Sequence, residues 1–223
     1  MNATRRTRFF AYFREQLGLV DQLGGREYKV HKKLIYVALL DTMAGLVYPR
    51  LSNRRRFVQL VKDFGAWSEC EHISTPHLAR MLKLNPSPQF NEVRKLAIAH
   101  LGSWSEGDHK GARDDLKYNA VRSKWPKDKD SCEPVEGVAL EAVQHAHLLY
   151  FFRNAVVHSF RPLGTDFEMP EDTEPYYLSV SEAETGPDGR CFHWDLIYPA
   201  EFFRSLTEAV INVNYFHRFV LPH

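Results

Sequence analysis

Cysteine is scarce in this chain: the 223 residues contain only three, Cys70, Cys132 and Cys191, and these lie far apart. An odd number of cysteines without a Cys-x-x-Cys spacing favours neither a disulfide framework nor a zinc knuckle. We therefore expect three reduced thiols in a reducing compartment, which predicts a cytoplasmic protein.

Long hydrophobic runs are also missing. No apolar stretch reaches the roughly 18 residues that a membrane helix needs, and residues 1–6 are not followed by the apolar segment of a secretory signal. The sequence contains no phosphate-binding glycine loop and no Gly-x-Ser-x-Gly elbow, so neither a kinase nor a serine hydrolase is supported. No membrane partner is expected.

Charge of one sign is not in excess either. The 29 Lys and Arg residues balance 28 Asp and Glu residues, for a formal net charge of +1. Any surface for nucleic acid must then be a local patch. Basic clusters at 5–8, 54–56 and 124–129 could each grip an RNA backbone, although charged clusters are usually only solvated surface. With 44% hydrophobic and 26% charged residues, the chain is expected to be folded. Its length fits one domain with insertions or one and a half small domains, and we predict a single domain over 1–223.

What the sequence does contain is helical periodicity. Apolar residues recur at helical spacing over 9–23, and they cover almost every side of a predicted helix at 32–47. A helix without a polar face is usually a central, buried one. Ser52, Ser74 and Ser87 are start signals for further helices, and a last helix follows Pro199.

Two segments depart from this pattern. Almost half of the residues in 105–134 are charged, which predicts a solvated surface insertion with a short helix near 114–121. Residues 176–198 hold two stretches rich in β-formers around a turn sequence at 185–189, which predicts a β-hairpin. The predicted fold is mainly α: a helical bundle with a β-hairpin inserted before the C-terminal helix.

A polar motif closes the longest predicted helix, 134–160. Arg153 and Asn154 stand in an apolar sequence, and three residues separate them from His158. Because an unpaired buried charge is costly, Arg153 needs an acid, a phosphate or a dimer partner, and Asp41, in the apolar helix 32–47, is the predicted acid. Asn154 and His158 share a helix face, whereas Arg153 points about 140° away from His158 around the axis.

This Arg-Asn-x-x-x-His sequence resembles the signature of HEPN domains, which lies on the penultimate long helix of a helical bundle. The resemblance implies a homodimer that brings two motifs into one cleft and cleaves RNA without a metal or cofactor. His158 would move the proton of a 2′-hydroxyl or leaving group, Arg153 would bind the scissile phosphate, and Asn154 would orient the histidine or the sugar. It also implies a bacterial toxin or antiviral effector, with an antitoxin or nucleotidyltransferase as a further partner.

Other interpretations stay open. The chain could be a non-catalytic HEPN-fold binding module, such as the partner subunit of a nucleotidyltransferase. Some HEPN toxins carry a tyrosine that a partner nucleotidyltransferase modifies. This chain has Phe160 at the corresponding position. It could also be an unrelated helical scaffold in which Arg153 pairs with a buried carboxylate and His158 stabilises a helix C-terminus. Glu141 and His145 could bind a metal ion, although no third ligand is evident.

Overall fold

The computed structural model describes residues 3–25, 28–105, 107–126, 136–159, 168, 172–182 and 191–212. Over these residues the protein is mainly α-helical with a small three-stranded antiparallel sheet, which confirms the predicted fold class. The helices are α1 (Ala3–Asp21), α2 (Lys29–Val47), α3 (Asn53–Phe64), α4 (Thr75–Leu84), α5 (Asn91–Leu101), α6 (Tyr118–Arg122), α7 (His145–Ser159) and α8 (Ala200–Asn212). The strands are β1 (Lys110–Gly111), β2 (Tyr176–Glu182) and β3 (Cys191–Ile197).

The chain forms two compact units. Unit 1 comprises Met1–Ser68, Leu149–Glu174 and Tyr198–His223, and unit 2 comprises Glu69–Leu148 and Pro175–Ile197. The boundary therefore falls inside α7. The prediction of a single domain stays a prediction. None of the described helices is both long and apolar enough to cross a membrane.

In unit 1 the helix α2 is central, as its apolar sequence predicted. It packs against α1, α3 and α8. Tyr36, Val37, Leu40 and Met43 are completely buried. This helix carries the charged side chain Asp41 near its middle, so the core of unit 1 fixes where that carboxylate stands.

Gly65 allows α3 to end against α8. A Cβ atom at this position would lie 2.5 Å from the carbonyl oxygen of Val61 and 2.6 Å from Cδ1 of Leu206. Such distances are far below van der Waals contact, so only glycine fits there. The close approach holds α3, with its three consecutive arginines, against the bundle.

The helix that carries the motif is shorter than predicted. It spans 15 residues, His145–Ser159, against 19 each for α1 and α2, so the prediction of a longest helix at 134–160 is wrong. Residues 140–143 form a 3-10 turn instead. Ser74 donates its backbone N–H to the carbonyl of Val143 at 2.9 Å, and Gln144 pairs with Ile73. Hydrogen bonds to a distant segment thus replace those of a helix, because buried backbone groups need partners from somewhere.

Unit 2 has its own core between α4, α5 and α6. The residues that form it include Ile73, Leu78, Phe90, Val93, Val121 and Trp125.

Part of the predicted solvated insertion contributes to that core. Leu116, Val121 and Trp125 are 8%, 0% and 3% exposed, so the prediction of a solvated insertion is wrong for these three side chains. All three belong to the hydrophobic core of unit 2. The short helix is α6, slightly later than the predicted 114–121. Residues 127–134 lie outside the described ones.

The predicted hairpin is present in unit 2. Strands β2 and β3 pair antiparallel from Tyr176 with Ile197 to Glu182 with Cys191. The two-residue strand β1 adds to the other edge of β2. The predicted turn at 185–189 lies outside the described residues.

Candidate functional site

Asp41 and Arg153 form an ion pair in unit 1, between α2 and α7. Arg153 donates from Nε to Oδ2 of Asp41 at 2.8 Å, and its Nη2 donates to the same oxygen. The side chains of Arg153 and Asp41 are 15% and 20% exposed, so the pair is partly buried yet still open to solvent. The predicted partnership of these residues is confirmed.

Asn154 extends this pair along α7. Nη1 of Arg153 donates to Oδ1 of Asn154 at 2.7 Å, and the guanidinium carbon lies 5.7 Å from the ring centroid of Tyr150. These bonds do not use every N–H of the guanidinium, and the remaining donors have no partner among the described residues. Arg153 is thus fixed in position while it keeps donors for an oxyanion.

His158 lies one turn beyond Asn154, on the same face of α7, and is exposed. Within the described part of the chain, no hydrogen bond or ion pair joins it to another residue. Its place in the last helical turn is one where the helix dipole favours a cation. The structure therefore presents His158 to solvent near Asn154, but it does not bring it into contact with Arg153.

A third residue lies on the same exposed stripe of α7, and sequence reasoning missed it. Phe151 precedes Asn154 by three positions and His158 by seven, so all three lie on one helix face. Phe151 is 43% exposed, and the guanidinium carbon of Arg54 lies 4.9 Å from its ring centroid. The cluster 54–56 was evident in the sequence, but no sequence signal connects α3 with α7.

A separate group of polar side chains is buried in unit 2. Oδ1 of Asp115 accepts the backbone N–H of Thr75 at 2.7 Å, and Oδ2 accepts the hydroxyl of Tyr177 at 2.5 Å. Nε2 of His145 lies 2.8 Å from the same Oδ2. Asp115, Tyr177, His145 and Ser74 are at most 6% exposed, so a substrate cannot reach these four side chains. The network holds segments of unit 2 together.

His77 completes the network. Its Nδ1 lies 2.7 Å from Oγ of Ser74, which lies 2.7 Å from the oxygen of Tyr177. The hydroxyl of Tyr177 donates its one proton to the Asp115 carboxylate, so its oxygen can accept the hydroxyl proton of Ser74. The oxygen of Ser74 can in turn accept a proton from Nδ1 of His77, and each of the three contacts then contains one proton. Burial, and next the neighbouring His145, lower the pKa of His77 to about 4, so it is neutral at neutral pH.

Glu141 and His145, which the sequence offered as possible metal ligands, have different partners in the structure. Glu141 precedes α7 and accepts the hydroxyl of Tyr118 at 3.0 Å, while His145 bonds to Asp115. Among the described residues, no three His, Cys, Asp or Glu side chains are placed to hold a metal ion.

No protein-family model, no curated protein and no solved structure matches this chain. The class that the fold defines is therefore a mainly helical protein with a small antiparallel sheet. Membership of the HEPN superfamily stays a prediction that rests on the motif from Arg153 to His158.

Proposed function

We propose that this protein is an endoribonuclease of HEPN type that acts without a metal, in the cytoplasm, as a bacterial toxin or antiviral effector. One observation carries the proposal. Asp41 and Asn154 hold Arg153 in place with N–H donors to spare, and an exposed histidine, His158, follows one turn later. An anchored guanidinium and an accessible imidazole, which a second copy of the chain would bring together, are a suitable pair for RNA phosphate chemistry.

The proposed reaction is an internal transfer within RNA. The 2′-oxygen forms a bond to phosphorus while the bond to the 5′-oxygen breaks, which leaves a 2′,3′-cyclic phosphate and a 5′-hydroxyl. His158 takes the 2′ proton or gives one to the departing 5′-oxygen, and imidazole suits either task near neutral pH. Arg153 stabilises the charge that develops on the phosphate oxygens. A second copy of the chain would supply the second histidine.

The test compares wild-type protein with His158→Ala. Wild-type protein should cleave RNA in excess EDTA, leave DNA intact and yield cyclic phosphate ends, because the reaction needs the 2′-hydroxyl and no metal. His158→Ala should lose cleavage and any growth arrest on expression. His31→Ala is a matched control, since it removes an exposed histidine from α2 about 15 Å along that helix from Asp41. Cleavage that requires a metal, or full cleavage by His158→Ala, would contradict the proposal.

The same ion pair also favours one alternative function. Asp41 gives Arg153 a structural partner, and a histidine in the last turn of α7 can stabilise the helix end without any chemistry. A non-catalytic HEPN-fold binding module, or the partner subunit of a nucleotidyltransferase, would use the fold in this way. RNA that binds but stays intact with the wild-type protein would favour it. Phe160, which bears on the nucleotidyltransferase, lies outside the described residues.

A further inference from the structure

The start of α3 concentrates positive charge. Residues 42–62 contain five Lys and Arg residues and no Asp or Glu. Arg54 and Arg56 are partly exposed, and Arg55 is exposed. Within the described part of the chain, neither Arg55 nor Arg56 has an acidic partner. In a protein whose formal net charge is only +1, this patch is a local attraction for an anion.

These arginines stand where a helix tolerates cations least. They occupy the first turn of α3, which contains no acidic residue, and the side chain of Ser52 makes no capping hydrogen bond. The helix dipole favours negative charge at this end, so each arginine opposes it. The arrangement weakens the isolated helix, and a polyanion lying over the patch would relieve that repulsion.

Arg56 connects the patch to the Asp41–Arg153 pair. Its guanidinium carbon lies 3.6 Å from the place of a Cβ atom on Gly45, so the head group packs over this glycine of α2. Gly45 is one turn past Asp41 on the same helix face. Nε of Arg56 is buried and has no hydrogen-bond partner among the described residues. A second cation is thus positioned one helical turn from the carboxylate that anchors Arg153.

Phe151 adds an aromatic surface. It is 43% exposed with Arg54 against its ring, and it begins the stripe of α7 that continues through Asn154 to His158. Seven residues of helix separate Phe151 from His158 by about 10 Å along the axis. Exposed aromatic rings among cations are the features with which proteins bind single-stranded nucleic acids, because every base has a face that can stack.

We infer that Phe151, with Arg54 against its ring, stacks one unpaired base of RNA, while Arg55 and Arg56 bind phosphates of the same strand. The inference rests on the proposed function and names its substrate as an unpaired segment. Bases inside a duplex already stack on one another and cannot reach a protein ring, whereas those in loops and single strands can.

The experiment measures RNA binding in the His158→Ala protein, where proposed cleavage cannot remove the probe. Fluorescence anisotropy follows a labelled single-stranded oligouridylate and an RNA duplex of equal length. Adding Phe151→Ala should weaken single-strand binding about ten-fold or more, and Phe151→Trp should keep it. Adding Arg55→Ala should lower the slope of log Kd against log salt concentration by about one, which corresponds to the loss of one phosphate contact. Tyr12→Ala, which removes another exposed aromatic ring from unit 1, should change nothing.

Phe151→Leu separates stacking from packing, since it keeps an apolar side chain without a ring. Binding by Phe151→Leu and Phe151→Ala within two-fold of the Tyr12→Ala control would overturn the inference, as would equal affinity for the duplex.

The subsite and the cleavage reaction can fail separately. If the wild-type protein binds the single strand through Phe151 but leaves it intact, the subsite stands and cleavage is wrong. If it cleaves RNA with a kcat/KM that Phe151→Leu does not change, cleavage stands and the subsite is wrong.

Discussion

Arg153 uses its planar head group in two directions. Nε and Nη2 donate to Asp41, while Nη1 donates to Asn154. We expect Arg153→Lys to lower kcat/KM for RNA cleavage roughly 100-fold with the fold kept, because an ammonium group cannot make these contacts and also bind a phosphate. Arg14→Lys on α1 is the matched control. An Arg153→Lys protein that keeps more than half of the wild-type rate would show that the fork geometry is not needed.

Asp41 should matter for stability as well as for position. The ion pair of Asp41 with Arg153 is partly buried, so breaking it should cost more stability than breaking an exposed pair and less than breaking a fully buried one. We therefore expect Asp41→Ala to lower the free energy of unfolding by about 2 kcal/mol. Urea denaturation measures this loss. A double-mutant cycle with Arg153→Ala isolates the pair, and additive losses would mean that the two side chains do not stabilise each other.

At the scale of elements, the sequence predicted correctly those helices and strands that depend on residues close together in the chain. The apolar run of α2 and the β-formers of the hairpin predicted the correct elements because each is a local pattern. The start of α7 was wrong, since residues before His145 bond to a distant segment around Ile73 and Ser74. The pairing of Asp41 with Arg153 was predictable, because each is a charge in an apolar helix and an unpaired buried charge is costly. The contact of Arg54 with Phe151 was not, because either residue alone is an ordinary surface residue.

His77, in the first turn of α4, should make the free energy of unfolding depend on pH. His77 is neutral in the folded state because burial lowers its pKa to about 4, and it faces His145, Asp115 and Arg80. The unfolded chain binds a proton near pH 6.5, so the free energy of unfolding should be constant above that pH. It should then fall by about 3 kcal/mol as pH falls to 4.

Urea denaturation at several pH values tests this expectation. His77→Gln should be less stable at pH 7, since it changes the bond to Ser74, but it should lose most of the slope between pH 6.5 and 4. A slope that persists unchanged in His77→Gln would assign the proton uptake to another group.

For the whole molecule, we expect a symmetric homodimer. One α7 helix directs Arg153 and His158 about 140° apart, and each chain offers one histidine from this motif, whereas the proposed reaction needs a proton acceptor and a proton donor. Light scattering at tens of micromolar should give twice the mass of the 25.9 kDa chain. A strict monomer that still cleaves RNA would show that one motif is enough.

The buried network around Asp115 has a consequence for how long unit 2 stays folded. Asp115 bonds to Thr75, His145 and Tyr177, which lie 40, 30 and 62 positions away in the chain. We expect hydrogen bonds over such separations to form mostly after the rate-limiting step of folding, because each needs its distant partner already packed in place. Asp115→Asn should therefore leave the refolding rate nearly unchanged and speed unfolding.

Stopped-flow chevrons for the wild-type protein and Asp115→Asn measure both rates. Slower refolding with unchanged unfolding would instead place the network in the folding nucleus. If the network forms late, Asp115 slows the unfolding of unit 2 more than it speeds its folding. The half-life of the folded state then depends on one buried carboxylate that no substrate can contact.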